Sequence, residues 1–234
     1  MINLHRWLKC VLLALAISPL QGCARDYSAT AIEAWIVDAE TKLPLEGVIV
    51  VADWKLEFGL EGGRSAELKI METVTDKNGR FYFPAWGPIE IPKDLPSEAR
   101  LKNRDPQILM FLNSYKPKIT YNERPIKSMG MHGKSVRSWD GNGKTIELTK
   151  FKGEMKDYAF DLGWLWGSLL FAHMTSRDCE WKLVPRMIAA LIKQYKILKD
   201  RNISSPFFNI PPFETFPNQQ VCGSAKEFFK DYLK

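Results

Sequence analysis

The sequence predicts an α+β chain, with an antiparallel β-sandwich over residues 31–150 followed by a small disulfide-stapled α-helical region over residues 151–234. Three observations predict it. β-branched and alternating runs, broken by turn residues, fill the first part. The apolar period changes to i, i+3, i+4, i+7 after Lys150–Gly153. Two cysteines, Cys179 and Cys222, fall in the helical part, where an oxidising compartment would pair them.

The compartment is read from the start of the chain. Met1 to Lys9 carries Arg6 and Lys9 with no acid, and Cys10 to Ile17 is an unbroken apolar run, too short to span a bilayer. Residues 1–22 therefore read as an export signal, outside the fold. Leu20-Gln21-Gly22-Cys23 resembles the lipobox of bacterial lipoproteins, which implies cleavage before Cys23 and a lipid on its thiol. Ordinary cleavage after Ala24 is the competing reading. Lipidation would place the protein on a membrane of the bacterial cell envelope, the outer membrane or a periplasmic face, with each buried CH₂ contributing about 0.8 kcal/mol.

Loss of Arg6 and Lys9 with the signal lowers the formal net charge from +6 to +4. The remaining cations are interleaved with acids along the chain, which argues against a nucleic-acid partner. Cys10 leaves with the signal and Cys23 takes the lipid, so Cys179 and Cys222 are the remaining pair. Two buried free thiols are the alternative.

Within the mature chain, residues 23–30 are short and polar and read as a tether. Ala31 to Val37 alternates as a strand, with Ala34 and Ile36 on one face and Trp35 and Val37 on the other. Asp38 to Lys42 carries turn chemistry. Val48 to Trp54 is dense enough in β-branched residues to be buried on both faces. Glu67 to Thr75 alternates again, and Asn78-Gly79 suits a tight hairpin turn that would return Arg80–Phe83 beside it. Met155 to Met174 is apolar with Gly163 and Gly167 inside it. Val184, Met187, Ile188, Leu191, Tyr195 and Leu198 make one face of an amphipathic helix, with Pro185 in its first turn. Ser204 to Pro217 should wrap irregularly over the surface. Ser224-Ala225-Lys226-Glu227 has the form of a capping box.

Several of these segments, Val37-Asp38, Leu43-Pro44-Leu45-Glu46-Gly47-Val48, Thr75-Asp76-Lys77-Asn78-Gly79-Arg80-Phe81 and Ile108 to Pro117, resemble the carboxypeptidase regulatory-like domain. The resemblance covers about residues 32–148. It implies a transthyretin-like sandwich of seven strands and a non-catalytic accessory or interaction module. Two inserts depart from that pattern, Gly87–Asp105 and Asn122–Lys144, and Ser114 stands where the family usually has glycine.

Nothing in the sequence carries a catalytic set. Only His132 and His173 remain in the mature chain, and neither lies in a His-Glu-x-x-His pattern, so neither a metal nor another cofactor is expected. His132 lies near Ser128, Ser135 and Ser138 in a glycine-rich loop without the nucleophile elbow of a hydrolase. Trp54, Trp86 and Trp139 fall at strand ends or loops and are the candidate ligand-binding residues, since an exposed indole stacks on a sugar ring. Core packing is the competing role for each. Trp164 and Trp166 lie in an apolar run and read as packing residues. A loop with Arg124, Lys127, Lys134, Arg137 and Lys144 is a candidate contact for anionic headgroups or an acidic glycan, or is merely solvated. The expectation is a non-catalytic envelope lipoprotein that acts as a binding or structural module, with an envelope protein or glycan as partner. A carbohydrate-binding module, or an enzyme with its site between the sandwich and the helices, is the alternative.

Overall fold

The described residues build three sheets and pack helices against the largest of them. The structure, a computed structural model, describes residues 26–60, 63–123, 135–174 and 178–234. The export signal, Cys23, His132 and the cations Arg124, Lys127 and Lys134 lie outside the described residues.

The largest sheet has the order β4 (Arg64–Val74), β3 (Ile49–Phe58), β8 (Gln107–Phe111), β9 (Lys118–Thr120), and the short β7 (Arg100–Leu101) also pairs with β3. A second has β2 (Ile32–Asp38) between β5 (Arg80–Phe83) and β11 (Thr145–Leu148). The third has β1 (Asp26–Ala29) between β6 (Trp86–Glu90) and β10 (Ser135–Arg137). Pairing is antiparallel except at two places, where β11 runs parallel to β2 and β10 parallel to β1, so the wholly antiparallel expectation is corrected there. The third sheet is assembled from segments that the sequence set aside. The polar stretch expected to be a tether supplies β1, and the two inserts supply β6 and β10. Any tether from Cys23 therefore ends at Asp26.

A second correction concerns the turn at Asn78-Gly79. The turn forms, but only Gly79 has positive φ, and the Asp76 carboxylate holds it by accepting from the backbone N–H groups of Asn78 and Arg80, both at 2.9 Å. The strand that follows does not return beside β4, however, but crosses to pair antiparallel with β2. Gly79 explains the switch. It has φ +71° and lies over β2, where its carbonyl accepts from Ile36 N–H at 2.8 Å, and a Cβ there would sit 2.3 Å from the Ile36 carbonyl oxygen.

The turn after β2 also forms as read. The Asp38 carboxylate accepts from the backbone of Glu40 and Thr41 and from the Tyr115 hydroxyl at 2.8 Å, and these bonds hold its pKa down at about 2.

β3 is the central layer, buried on both faces. Val50, Ala52, Trp54 and Leu56 point into a core shared with Ile32, Ala34, Ile36, Phe81 and Phe83. Val51, with Leu109 and Phe111 of β8 and Ile70 of β4, points the other way into a core shared with the helices. Those helices are α1 (Met155–Gly167), α2 (Leu170–His173), α3 (Pro185–Asp200), α4 (Gln219–Cys222) and α5 (Ala225–Phe229). Val184, Met187, Ile188 and Leu191, the apolar stripe read from the sequence, are fully buried in that core. Pro185 occupies the first turn of α3. The cap comes from the sheet: the Glu72 carboxylate of β4 accepts from the N–H groups of Arg186 and Met187 at 3.0 and 2.8 Å.

Ser204–Pro217 is largely irregular, as expected, but it does more than cover the surface. It inserts Phe208, Ile210 and Phe216 into the helical core. Cys179 and Cys222 form the expected disulfide, with Cα atoms 5.6 Å apart, and it fastens α4 beside Trp181. Trp181 is buried among Phe216, Phe228 and Phe229. Ser224 caps α5 by accepting from Glu227 N–H.

Candidate functional site

The helix-covered face of β3 changes character along the strand, and the site lies where it changes. Val51, Asp53 and Lys55 follow one another on that face by the period-two rule. Val51 lies under the helices. Asp53 is still fully buried, and the cover opens only beyond Lys55, whose ammonium lies over the Phe171 ring of α2, where α1 has ended at Gly167 and the chain turns through Ser168 and Leu169 into α2. The uncovered end is a pocket of about 440 Å³ lined by Lys55, Lys102, Arg104, Asp105, Gln107, Tyr121, Gly167 and Ser168.

Register brings these groups together. Asp53 stands opposite Gln107 on β8, and Lys55 opposite Glu67 on β4, past a bulge in β4 at Leu68. The segment between β7 and β8 folds over β3, with Lys102 N–H donating to the Lys55 carbonyl at 2.9 Å and the Asp105 carboxylate accepting from Lys55 N–H at 2.5 Å. Gln107 donates to the Tyr121 hydroxyl at 2.8 Å. Asn122, fully buried, locks the rim by donating to the carbonyls of Asp105 and Ser138 while accepting from Asp140 N–H.

Burial governs the charges. It pushes the Asp53 carboxyl up to about 6 against the opposing pull of Lys55, with which Asp53 forms a 3.2 Å ion pair. It pushes Glu67 and Asp105 up to about 8, with the Asp53 charge adding to both. Burial alone would lower the Lys55 ammonium, but Asp53 and Glu67 overcome it and hold its pKa above the ordinary lysine value. At neutral pH, Asp105 and Glu67 are thus mainly protonated while Lys55, Lys102 and Arg104 are charged, which leaves the pocket positive. Among the described residues no group of three or more His, Cys, Asp or Glu side chains is arranged to hold a metal ion.

The three tryptophans singled out from the sequence are not in this pocket. Trp54, Trp86 and Trp139 are 1%, 8% and 4% exposed, and Trp54 packs edge-on against Trp86 at 5.2 Å. Their indoles belong to the core around β2 and β3, so none offers a face for stacking. His173 is also buried. It stacks on Trp166 at 4.0 Å, its pKa is lowered by burial, and it does not line the pocket. Arg137 of the cationic loop is buried with its guanidinium over the Tyr27 ring, while Lys144 is exposed.

Among the described residues the most exposed aromatic side chain is Trp164, read from the sequence as packing. It is 65% exposed and meets Phe160 edge-on at 6.2 Å, and Phe160 in turn meets Phe207 at 5.4 Å. Gly163 makes this possible. Its missing side chain lets the Phe207 backbone seat against α1, where a Cβ would lie 2.8 Å from the Phe207 Cβ. The signal was present in the spacing. Phe160, Trp164 and Ser168 recur every four residues on a stripe distinct from the buried Tyr158, Leu162, Leu165 and Leu169. The apolar composition of the run hid it.

No family model matches the chain, and no curated protein matches it. Among solved structures, it is similar to a 3-chlorocatechol 1,2-dioxygenase from Rhodococcus opacus 1CP, at 15% identity and a TM-score of 0.28 over 55% of this chain and 61% of that one. It is also similar to a 9R-lipoxygenase from Cyanothece PCC8801, at 15% identity and a TM-score of 0.24 over 86% of this chain and 32% of that one. The match spans less than two thirds of either neighbour, and likeness at this level carries no argument about activity.

Proposed function

We propose that this is an exported, lipid-anchored protein of the bacterial cell envelope, a transthyretin-like sandwich fused to a helical cover, which acts by binding and not by turnover. The observation that carries the reading is the division of labour between the two ends of the molecule. β1 begins three residues after Cys23, a reach of roughly 10 Å at most. The exposed aromatic stripe and the positive pocket belong to the helix-covered side of β3, whereas the β1 residues Tyr27 and Ala29 join the core on its other side. An anchor at one layer and a recognition face on another suit a module that presents a binding surface from a membrane. Among the described residues no helix is long and apolar enough to cross a membrane.

The test is the mass of the N-terminal peptide of the mature protein taken from a membrane fraction. A diacylated and further acylated Cys23, with release of the Cys23→Ala protein into the soluble fraction, is the expected result. An unmodified peptide beginning at Arg25 would reject the anchor.

A second reading, hydrolysis of the bound ligand, rests on Asp105, a pocket-lining carboxyl protonated near neutral pH as a general acid must be. Its carboxylate is already engaged by Lys55 N–H, and binding without turnover is the better account.

A further inference from the structure

β10 carries an arginine where a strand of a sandwich would turn an apolar side chain inward. Val136 is exposed and Arg137 is only 3% exposed, so the alternation of the strand puts the guanidinium inside. Register fixes its neighbours. Arg137 pairs with Ala29 of β1, and Ala29 pairs on its other side with Trp86 of β6, so the three make one cross-strand row on the buried face of the third sheet. Neighbouring strands lie about 4.8 Å apart, so Arg137 and Trp86 stand on either side of a floor made only of the Ala29 methyl group. We propose that Arg137 binds a small inorganic anion, a halide such as chloride, held by its Nε–H and Nη1–H groups within the third sheet. The inference goes beyond the binding role proposed above and does not rest on it.

Sign, size and hydrogen bonding select this ligand. Arg137 Nε and Nη1 are buried and donate to nothing, and an uncompensated buried cation is costly. The protein offers little to answer it. Residues 124–134, which precede β10, hold no Asp or Glu. Asp105 is the carboxyl whose charge reaches the guanidinium, but it is mainly protonated at neutral pH and already accepts from Lys55 N–H. The Tyr27 ring, 5.8 Å from the guanidinium, meets part of the charge, yet its face has no lone pair for an N–H. Trp86 Nε1, and Trp54 Nε1 of the indole packed edge-on against it, are also buried donors without an acceptor. The unpartnered oxygens of Asp53 lie on the other face of β3 from Trp54, beside Lys55, and cannot serve them. This part of the core is therefore short of acceptors. A water molecule accepting from Arg137 would bring two protons of its own, whereas a halide only accepts. Burial of Arg137 leaves no opening for a phosphate or for a carboxylate on a larger molecule, which sets the size.

The experiment is thermal denaturation of the mature chain, residues 24–234, dialysed into sodium gluconate, whose anion is too large for the site, and then moved to sodium chloride or sodium bromide at equal ionic strength. The melting temperature should rise saturably with either halide, by about 5–10 °C at about a hundredfold excess over the dissociation constant. Arg137→Met keeps a long unbranched stem and removes the charge, and it should melt at the same temperature in all three salts. Crystals of the wild-type chain grown in bromide give a reading that does not depend on whether the variant folds. An anomalous peak in contact with Arg137 Nε and Nη1 is expected there. Equal melting of the wild type in gluconate and in halide, an equal halide response in Arg137→Met, or bromide found only at the surface as an adventitious ion would each overturn the proposal. The chain tested carries no lipid, so failure here and failure of the anchor are read separately.

Discussion

Buried carboxyls set the most distinctive residue-scale property of this protein. Glu67, Glu72 and Asp105 are pushed up to about 8, 7 and 8 by burial, well above what they would have in the unfolded chain. Each therefore holds its proton more firmly folded than unfolded, and each costs stability as pH climbs from about 4.5 toward 8. His173 works the other way, since burial lowers its pKa and acid then favours the unfolded chain. Asp38, held down at about 2, contributes stability that is lost only as pH falls below 4. The comparison that isolates the cluster is wild type against Glu67→Gln, by urea denaturation at pH 5 and pH 8. Glu67→Gln should gain on wild type at pH 8 relative to pH 5, because the neutral amide has no ionisation to oppose. An identical difference at the two pH values would show that Glu67 titrates normally. None of this was legible in the sequence, where Glu67 is one acid in an alternating strand. Its partial burial depends on the β4 bulge at Leu68 and on the segment that carries Asp105.

Among the elements, α1 shows how a glycine can be worth more than its helix propensity. In an exposed helix interior, Gly→Ala stabilises by about 0.5–1 kcal/mol. At Gly163 the sign should reverse. An added methyl would press on the Phe207 backbone, and such overpacking costs about 1–3 kcal/mol. Thermal denaturation of Gly163→Ala should show a lower midpoint than wild type, and a higher one would mean that Phe207 does not seat there. Helical period and end signals were readable for this region: the stripe from Val184 to Leu198, Pro185 in the first turn of α3, Ser224 as a cap and the Cys179–Cys222 pair all appear where the spacing puts them. The destination of β5 was not readable. Asp76-Lys77-Asn78-Gly79 has the same turn chemistry whether the chain returns or crosses, and the choice is made by the contact of Gly79 with β2, far away in sequence. Likewise β1, β6 and β10 are too short and too polar to announce that they pair with one another.

For the whole molecule, the two-sided burial of β3 organises everything else. Its run of β-branched residues made that burial legible, and the amphipathic stripe from Val184 to Leu198 pointed to a helical cover, but nothing local showed that the cover would open at Lys55. The pocket lies where it opens. Loops and strand ends usually face solvent, yet Trp54, Trp86 and Trp139 are core because three sheets close over them. The apolar neighbours of Trp164 conceal its exposure in the sequence. The central claim, that the α1 face is what this protein presents and uses at the envelope, is tested most directly by hydroxyl-radical footprinting of the tryptophans. The purified mature protein would be compared with the same protein on isolated envelope membranes. Trp164 should be oxidised readily in the purified protein and protected on the membranes, while Trp54, Trp86 and Trp139 stay protected in both. Equal oxidation of Trp164 in the two preparations would contradict the account.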